Sequence, residues 1–102
     1  MPQDLPDTSK EAVGRRIELA RVARGYHQAA FARLLGLSPQ GLNSYEKGIT
    51  ATPYLIIAKV WQLTGATADY MLLGRRDGMP AELVESIAEA EIAPRLDGRR
   101  KG

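Results

Sequence analysis

Apolar positions recur at helical spacing along most of the chain, and no stretch alternates with a period of two, so the pattern predicts an all-α fold without strands. Val13, Ile17 and Ala20 mark the inward stripe of a first helix running from about Ser9 to Arg24. Leu19 and Val22 fall off that line, near Arg15 and Glu18, and interrupt its polar face. Thr8 and Glu11 are spaced as a capping box, in which hydroxyl and carboxylate each take an orphan backbone N–H. Gly25 suits the left-handed position that closes the helix. Gln28 to Leu35 reads as a short second helix closed by Gly36. Ser38-Pro39 opens a third, over about Pro39 to Lys47, closed by Gly48; Thr52-Pro53 opens a fourth, closed by Gly65. In both pairs the hydroxyl caps, and proline sits where a missing N–H costs nothing. Thr67 caps a fifth helix through Leu73, ended by Gly74. Five helices joined by turns of roughly two to five residues describe a compact bundle.

Beyond Gly74 the character changes. Arg75-Arg76-Asp77-Gly78 reads as a linker, and residues 80–93 as a short helix with Leu83, Val84, Ile87 and Ala88 inward and Glu82, Glu85 and Glu89 outward. Pro94 stops it, and the final DGRRKG reads as a disordered basic tail. The expected organisation is therefore a flexible N-terminal arm over 1–8, a folded domain over 9–74, and a C-terminal extension over 75–102. Trp61 and Ile57, one turn apart in a largely apolar fourth helix from Tyr54 to Leu63, are assigned to the core. A helix apolar on two faces also invites a second contact, with the tail helix or with a dimer partner.

Composition narrows the classes. The chain has 102 residues, no cysteine and one histidine. A disulfide scaffold and a thiolate metal site are excluded, and His27 alone makes no metal site. No apolar run is long enough to span a bilayer, and MPQDLPDTSK lacks the layout of a signal peptide, so a cytoplasmic protein without membrane contact is expected. No paired carboxylates and no nucleophile–base set are present, so neither enzymatic activity nor a cofactor is expected. Net charge is only +2, but it is unevenly placed. Residues 11–74 hold seven Lys and Arg against four Asp and Glu, whereas residues 75–102 hold six of each. The basic excess thus lies in the middle segment.

The informative stretch is QAAFARLLGLSPQGLNSYEKG, from Gln28 to Gly48. Two helices cross closely only with a small residue at the contact and a sharp bend between them. Ala32 meets the first need and Gly36 the second. Phe31, Leu35, Leu37, Leu42 and Tyr45 then bring one apolar face of each helix together. Pro39, Gln40, Asn43, Ser44 and Lys47 stay outside, mostly short polar groups of a size to meet base edges or phosphates. An ordinary helical hairpin would share the hydrophobic pattern. The spacing from Gly36 to Gly41 lacks the Lys-Ser/Thr of a phosphate loop.

This stretch resembles the helix-turn-helix of the lambda-repressor/Cro-like, or Xre-type, DNA-binding domains. The resemblance runs from about Glu11 to Gly74 and rests on Gln28, "FARLLGLS", "LNSYEKG" and "ADYMLLG". It implies a five-helix domain that binds operator DNA as a homodimer, acting as a transcriptional regulator, most often a repressor. By position, it implies that Ser38, Pro39, Gln40, Asn43 and Ser44 face bases or adjacent phosphates. Gln28 and Lys47 match phosphate-contacting positions, Gln28 also helping to place a base-reading side chain. Arg21 and Glu46 match a buried ion pair locking the first helix to the third. Gln40 is the first candidate for direct readout, because an amide pairs bidentately with adenine. Two departures stand out. Proline at 39 removes a donor, and glycine at 41 lowers helix propensity by about 1 kcal/mol relative to alanine. Helix five, with Tyr70, Leu72 and Leu73, and the tail helix are the expected pairing surface. The competing expectation is an antitoxin-like interaction module docking a partner protein through Leu83, Val84 and Ile87 within residues 80–93.

Overall fold

Caps and left-handed glycines cut the chain into short helices, and the computed structural model, which describes residues 5–93, contains six of them. They are α1 (Lys10–Ala23), α2 (Gln28–Leu35), α3 (Pro39–Glu46), α4 (Tyr54–Thr64), α5 (Ala68–Leu73) and α6 (Ala81–Ile92). No strand occurs among the described residues. The expected arm is described only from residue 5, and the basic tail after residue 93 lies outside the described residues.

Two of the four expected N-caps fall where the pattern puts them. Ser38 accepts from Gly41 N at 3.0 Å and Thr67 from Tyr70 N at 3.0 Å. Two differ. At α1 the cap is Ser9, not Thr8: its hydroxyl accepts from Ala12 N at 3.1 Å, while the Asp7 carboxylate takes Ser9 N at 3.0 Å. Asp7 thus does the work expected of Glu11, and those hydrogen bonds hold its carboxyl below the usual carboxylate value. At α4, Pro53 is itself the cap residue, with extended backbone, and its carbonyl accepts from both Ile56 N and Ile57 N. Thr52 is left one residue too early, its hydroxyl buried with no hydrogen-bond partner among the described residues.

The core forms around α1, which packs on α3, α4, α5 and α6. Ile17, Ala20, Phe31, Ala32, Leu42, Val60, Met71, Leu83 and Ile87 are fully buried in it. Leu83 and Ile87 belong to α6, so the C-terminal extension packs its apolar line into the same core. This helix lies along α1 more extensively than any other helix does. Leu19, off the expected stripe, is buried as well. Arg24 pins the arrangement, donating to Thr64 O at 2.8 Å and to the Glu82 carboxylate at 3.0 Å. Arg16 likewise ties the end of α5 and the N-terminal segment to α1, through Met71 O at 3.1 Å and Asp7 O at 2.6 Å.

Other expected faces change with this packing. Ala88 is exposed and Ala90 half-buried, so the inward line of α6 runs through 83, 87 and 90. Of the residues expected to dock a partner, Leu83 and Ile87 are interior and Val84 is half-buried. Tyr70 is buried rather than available for pairing, its ring 5.8 Å beneath the Arg76 guanidinium. Trp61 is 53% exposed although Ile57 is buried, because Ile57, Val60 and Thr64 make the inward line of α4 and position 61 turns about 100° away from Val60. No helix among the described residues is long and apolar enough to cross a membrane.

Candidate functional site

α2 and α3 meet as a bent pair because Gly36 takes a left-handed conformation, φ 77°, that lets Leu37 N reach back to Ala32 O at 2.8 Å. Ala32 is fully buried at the crossing, with Phe31, Leu35 and Leu42 around it. Leu37 and Tyr45 are half-buried at its margin, and Tyr26 stacks obliquely on Phe31 with centroids 5.0 Å apart. The inward side of α3 is therefore fully used.

A second close approach holds α3 against α1. A Cβ at Gly14 would lie 2.1 Å from Tyr45 O and 2.7 Å from Glu46 O. At Gly48, φ 73°, it would lie 2.5 Å from Glu11 Cα. Helix backbones come this near only where side chains are missing. The hydrophobic pattern concealed Gly14, since a mid-helix glycine reads as a propensity defect until its neighbour is known.

Next to this contact lies the ion pair. Arg21 Nε donates to Glu46 Oε2 at 2.7 Å and Arg21 Nη2 to Glu46 Oε1 at 3.1 Å, with the two side chains 0% and 3% exposed. Arg21 Nη1 also donates to Tyr26 O at 2.9 Å. This bidentate fork fixes the rotation of α3 about its own axis. Burial pushes the Glu46 carboxyl up from the usual value, and the Arg21 and Gln28 donors pull it back only in part. Gln28 Nε2 bridges outward from the pair, donating to Glu46 Oε1 at 2.9 Å and to Asn43 Oδ1 at 3.3 Å. With its oxygen toward Gln28, Asn43 keeps its amide hydrogens for the surface.

What remains is an outer edge. Ser38, Pro39, Gln40 and Lys47 are exposed, and Asn43 and Ser44 are half-buried beside them. The Lys10 ammonium reaches Ile49 O at 3.5 Å, which brings a second cation to the end of α3 near Lys47. Nothing local in the sequence linked Lys10 to this edge, since it arrives from the start of α1. His27 is an exposed residue at the start of α2. No group of three or more His, Cys, Asp or Glu is placed to hold a metal ion among the described residues.

Comparison with known proteins gives a consistent picture. A helix-turn-helix family model matches residues 17–70. The "HTH-type transcriptional regulator RamB" of Mycobacterium tuberculosis is 28% identical over 89 residues, 87% of this chain but 19% of that protein. The chain thus spans about a fifth of RamB's length. The SPbeta prophage-derived uncharacterized HTH-type transcriptional regulator YonR of Bacillus subtilis is 31% identical over 80 residues, 78% of this chain and 74% of YonR. No solved structure matches the chain.

Proposed function

This chain belongs to the helix-turn-helix family of Xre and lambda-repressor type, and from that membership we propose that it binds operator DNA as a transcriptional regulator. The observation that carries the reading is the division of α3 into two sides. Its inward side is locked by the Gly14 approach and the Arg21–Glu46 fork, and its outer side carries short polar groups, of which Ser38 also caps the helix and Asn43 also accepts from Gln28. A helix so held presents its N-terminal half to the major groove as a fixed surface.

Within that reading Gln40 is the adenine-reading side chain, and Ser38, Pro39 and Ser44 lie against adjoining bases and phosphates. Asn43 offers amide hydrogens to a base acceptor, its oxygen being engaged by Gln28. Both amide hydrogens of Gln28 are committed, to Glu46 and Asn43, so its phosphate contact falls to the main-chain N–H in the first turn of α2. Lys47 and Lys10 hold phosphates at the far end. Two copies on a palindrome, one helical turn apart, complete a repressor acting in the cytoplasm.

Selection from a random duplex pool, followed by titrations at several salt concentrations, tests this. Gln40→Ala should change the preferred bases. Lys47→Ala should weaken every sequence and flatten the salt slope by about 0.9. Equal losses on all sequences from both variants, or no enrichment at all, would reject the proposal.

A further inference from the structure

We propose that the outward stripe of α4 is the contact with a second copy of this chain, which rests on the dimeric reading above and names its surface. Tyr54, Ala58 and Trp61 stand at i, i+4 and i+7 on one line of the helix, flanked by Leu55 and Gln62. Tyr54 is 79% exposed, Leu55 62% and Trp61 53%. Ile56, Ile57, Val60 and Thr64 fill the buried face, so the stripe is a second apolar face on a helix already packed. The chain's own apolar candidate for covering it, α6, is occupied against α1.

Charge selects the occupant. All five side chains are neutral, with no cation for a phosphate or anionic surface and no acid for a basic partner. The bordering charges are engaged: Lys59 Nζ donates to Leu35 O at 3.4 Å, and Arg24 to Thr64 and Glu82. A two-fold contact brings residues on its axis near their own copies, so a neutral residue such as Ala58 is tolerated there and a charged one resisted. Geometry agrees. In antiparallel pairing about Ala58, the small residue lies at the crossing, where the axes approach to about 8 Å. At about 1.5 Å per residue, Tyr54 lies about 6 Å to one side and Trp61 about 4.5 Å to the other. Each Tyr54 then falls opposite the other copy's Trp61. An open groove of ≈ 540 Å³ runs beside that tryptophan, lined by Arg24, Trp61, Gln62, Leu63, Thr64 and Gly65, and can receive the ring.

Area sets the strength. At 79% and 53% exposure, and with roughly 150–250 Å² per aromatic side chain, Tyr54 and Trp61 offer roughly 250 Å² per copy. Leu55 and Ala58 extend the stripe, but both copies together stay below the roughly 1,200 Å² of a standard stable interface. Association is therefore weak in free solution and completed on DNA with two half-sites.

Trp61 is the only tryptophan in the chain, so its emission reports the contact directly. Sedimentation of the full chain from micromolar to millimolar concentration, with and without a two-half-site duplex, should show the mass doubling as Trp61 emission shifts to the blue. Ala58→Arg places like charges across the axis. It should raise the dimer dissociation constant at least about tenfold, leaving circular dichroism and melting unchanged; Leu55→Glu should do the same from another position. Self-association that persists undiminished in both variants, with Trp61 emission unmoved, would overturn the proposal. So would a wild-type chain that stays monomeric throughout. Normal self-association without duplex binding would support this contact and count only against the DNA reading.

Discussion

Replacing Gly14 with alanine sets two physical rules against each other. Helix propensity alone favours Ala at a mid-helix position by about 1 kcal/mol. The added Cβ, however, would stand 2.1 Å from Tyr45 O and 2.7 Å from Glu46 O. Carbon and carbonyl oxygen ordinarily meet no closer than about 3.3 Å, so α3 must retreat from α1 by about 1 Å. The obstructing atoms are backbone and cannot rotate aside. Overpacking of this kind costs about 1–3 kcal/mol. The displaced turn also carries Glu46, whose bonds to Arg21 at 2.7 and 3.1 Å would stretch with it. The balance is a net loss of roughly 2–4 kcal/mol. Urea denaturation followed by far-ultraviolet circular dichroism reads this as a lower midpoint with an unchanged slope. Gly41→Ala is the matched control, because its Cβ would meet only the Ser38 hydroxyl at 3.3 Å and Leu37 Cβ at 3.9 Å. It should be neutral or stabilising by up to about 1 kcal/mol. A Gly14→Ala protein as stable as Gly41→Ala would refute the close-approach argument.

Other consequences follow from the same contacts. Glu46→Leu or Arg21→Leu alone should cost about 3–5 kcal/mol by removing a buried counter-charge, while the double replacement costs less than the sum, as a double-mutant cycle in urea would show. Ending the chain after Gly74 removes Met79, Leu83 and Ile87 from the core and should cost roughly 5 kcal/mol, seen as loss of a cooperative thermal transition. Burial pushes the Tyr70 phenol up to about 12 from 10.0. Its stabilising contribution is thus complete below pH 10 and lost as pH rises through the folded value, because the unfolded chain ionises first. Tyr70→Phe should flatten the stability decline over that interval by roughly 1–3 kcal/mol. It should be neutral or stabilising at pH 7, since the Tyr70 hydroxyl has no hydrogen-bond partner among the described residues.

Much of this was legible locally. Ser38-Pro39, Thr67, and the glycines at 36, 65 and 74 act through their own backbone geometry, so the boundaries of α2, α3 and α5 follow from residue type alone. The outward placement of Gln40 follows from periodicity once Leu42 is known to be inside. What escaped depends on distant neighbours. Leu19 reads as a break in a polar face until the packed bundle buries it, and Tyr70 as a pairing residue until α5 packs on α1 and Arg76 lies over its ring. Gly14 gains its meaning from a carbonyl thirty-one residues away. Lys10 joins the candidate edge only through the α1–α3 contact. At α1, Ser9 and Asp7 displaced Thr8 and Glu11 because several adjacent residues can all cap, and local pattern does not rank them.

In the proposed function, the outer edge of α3 is the surface that meets DNA. Titrating isotopically labelled protein with its selected duplex, and following amide resonances residue by residue, tests it most directly. The largest changes are expected at Ser38, Gln40, Asn43, Ser44 and Lys47, including the Gln40 side-chain amide, with α6 nearly silent. Changes concentrated on α6 or the C-terminal end of α4, with α3 unmoved, would contradict it.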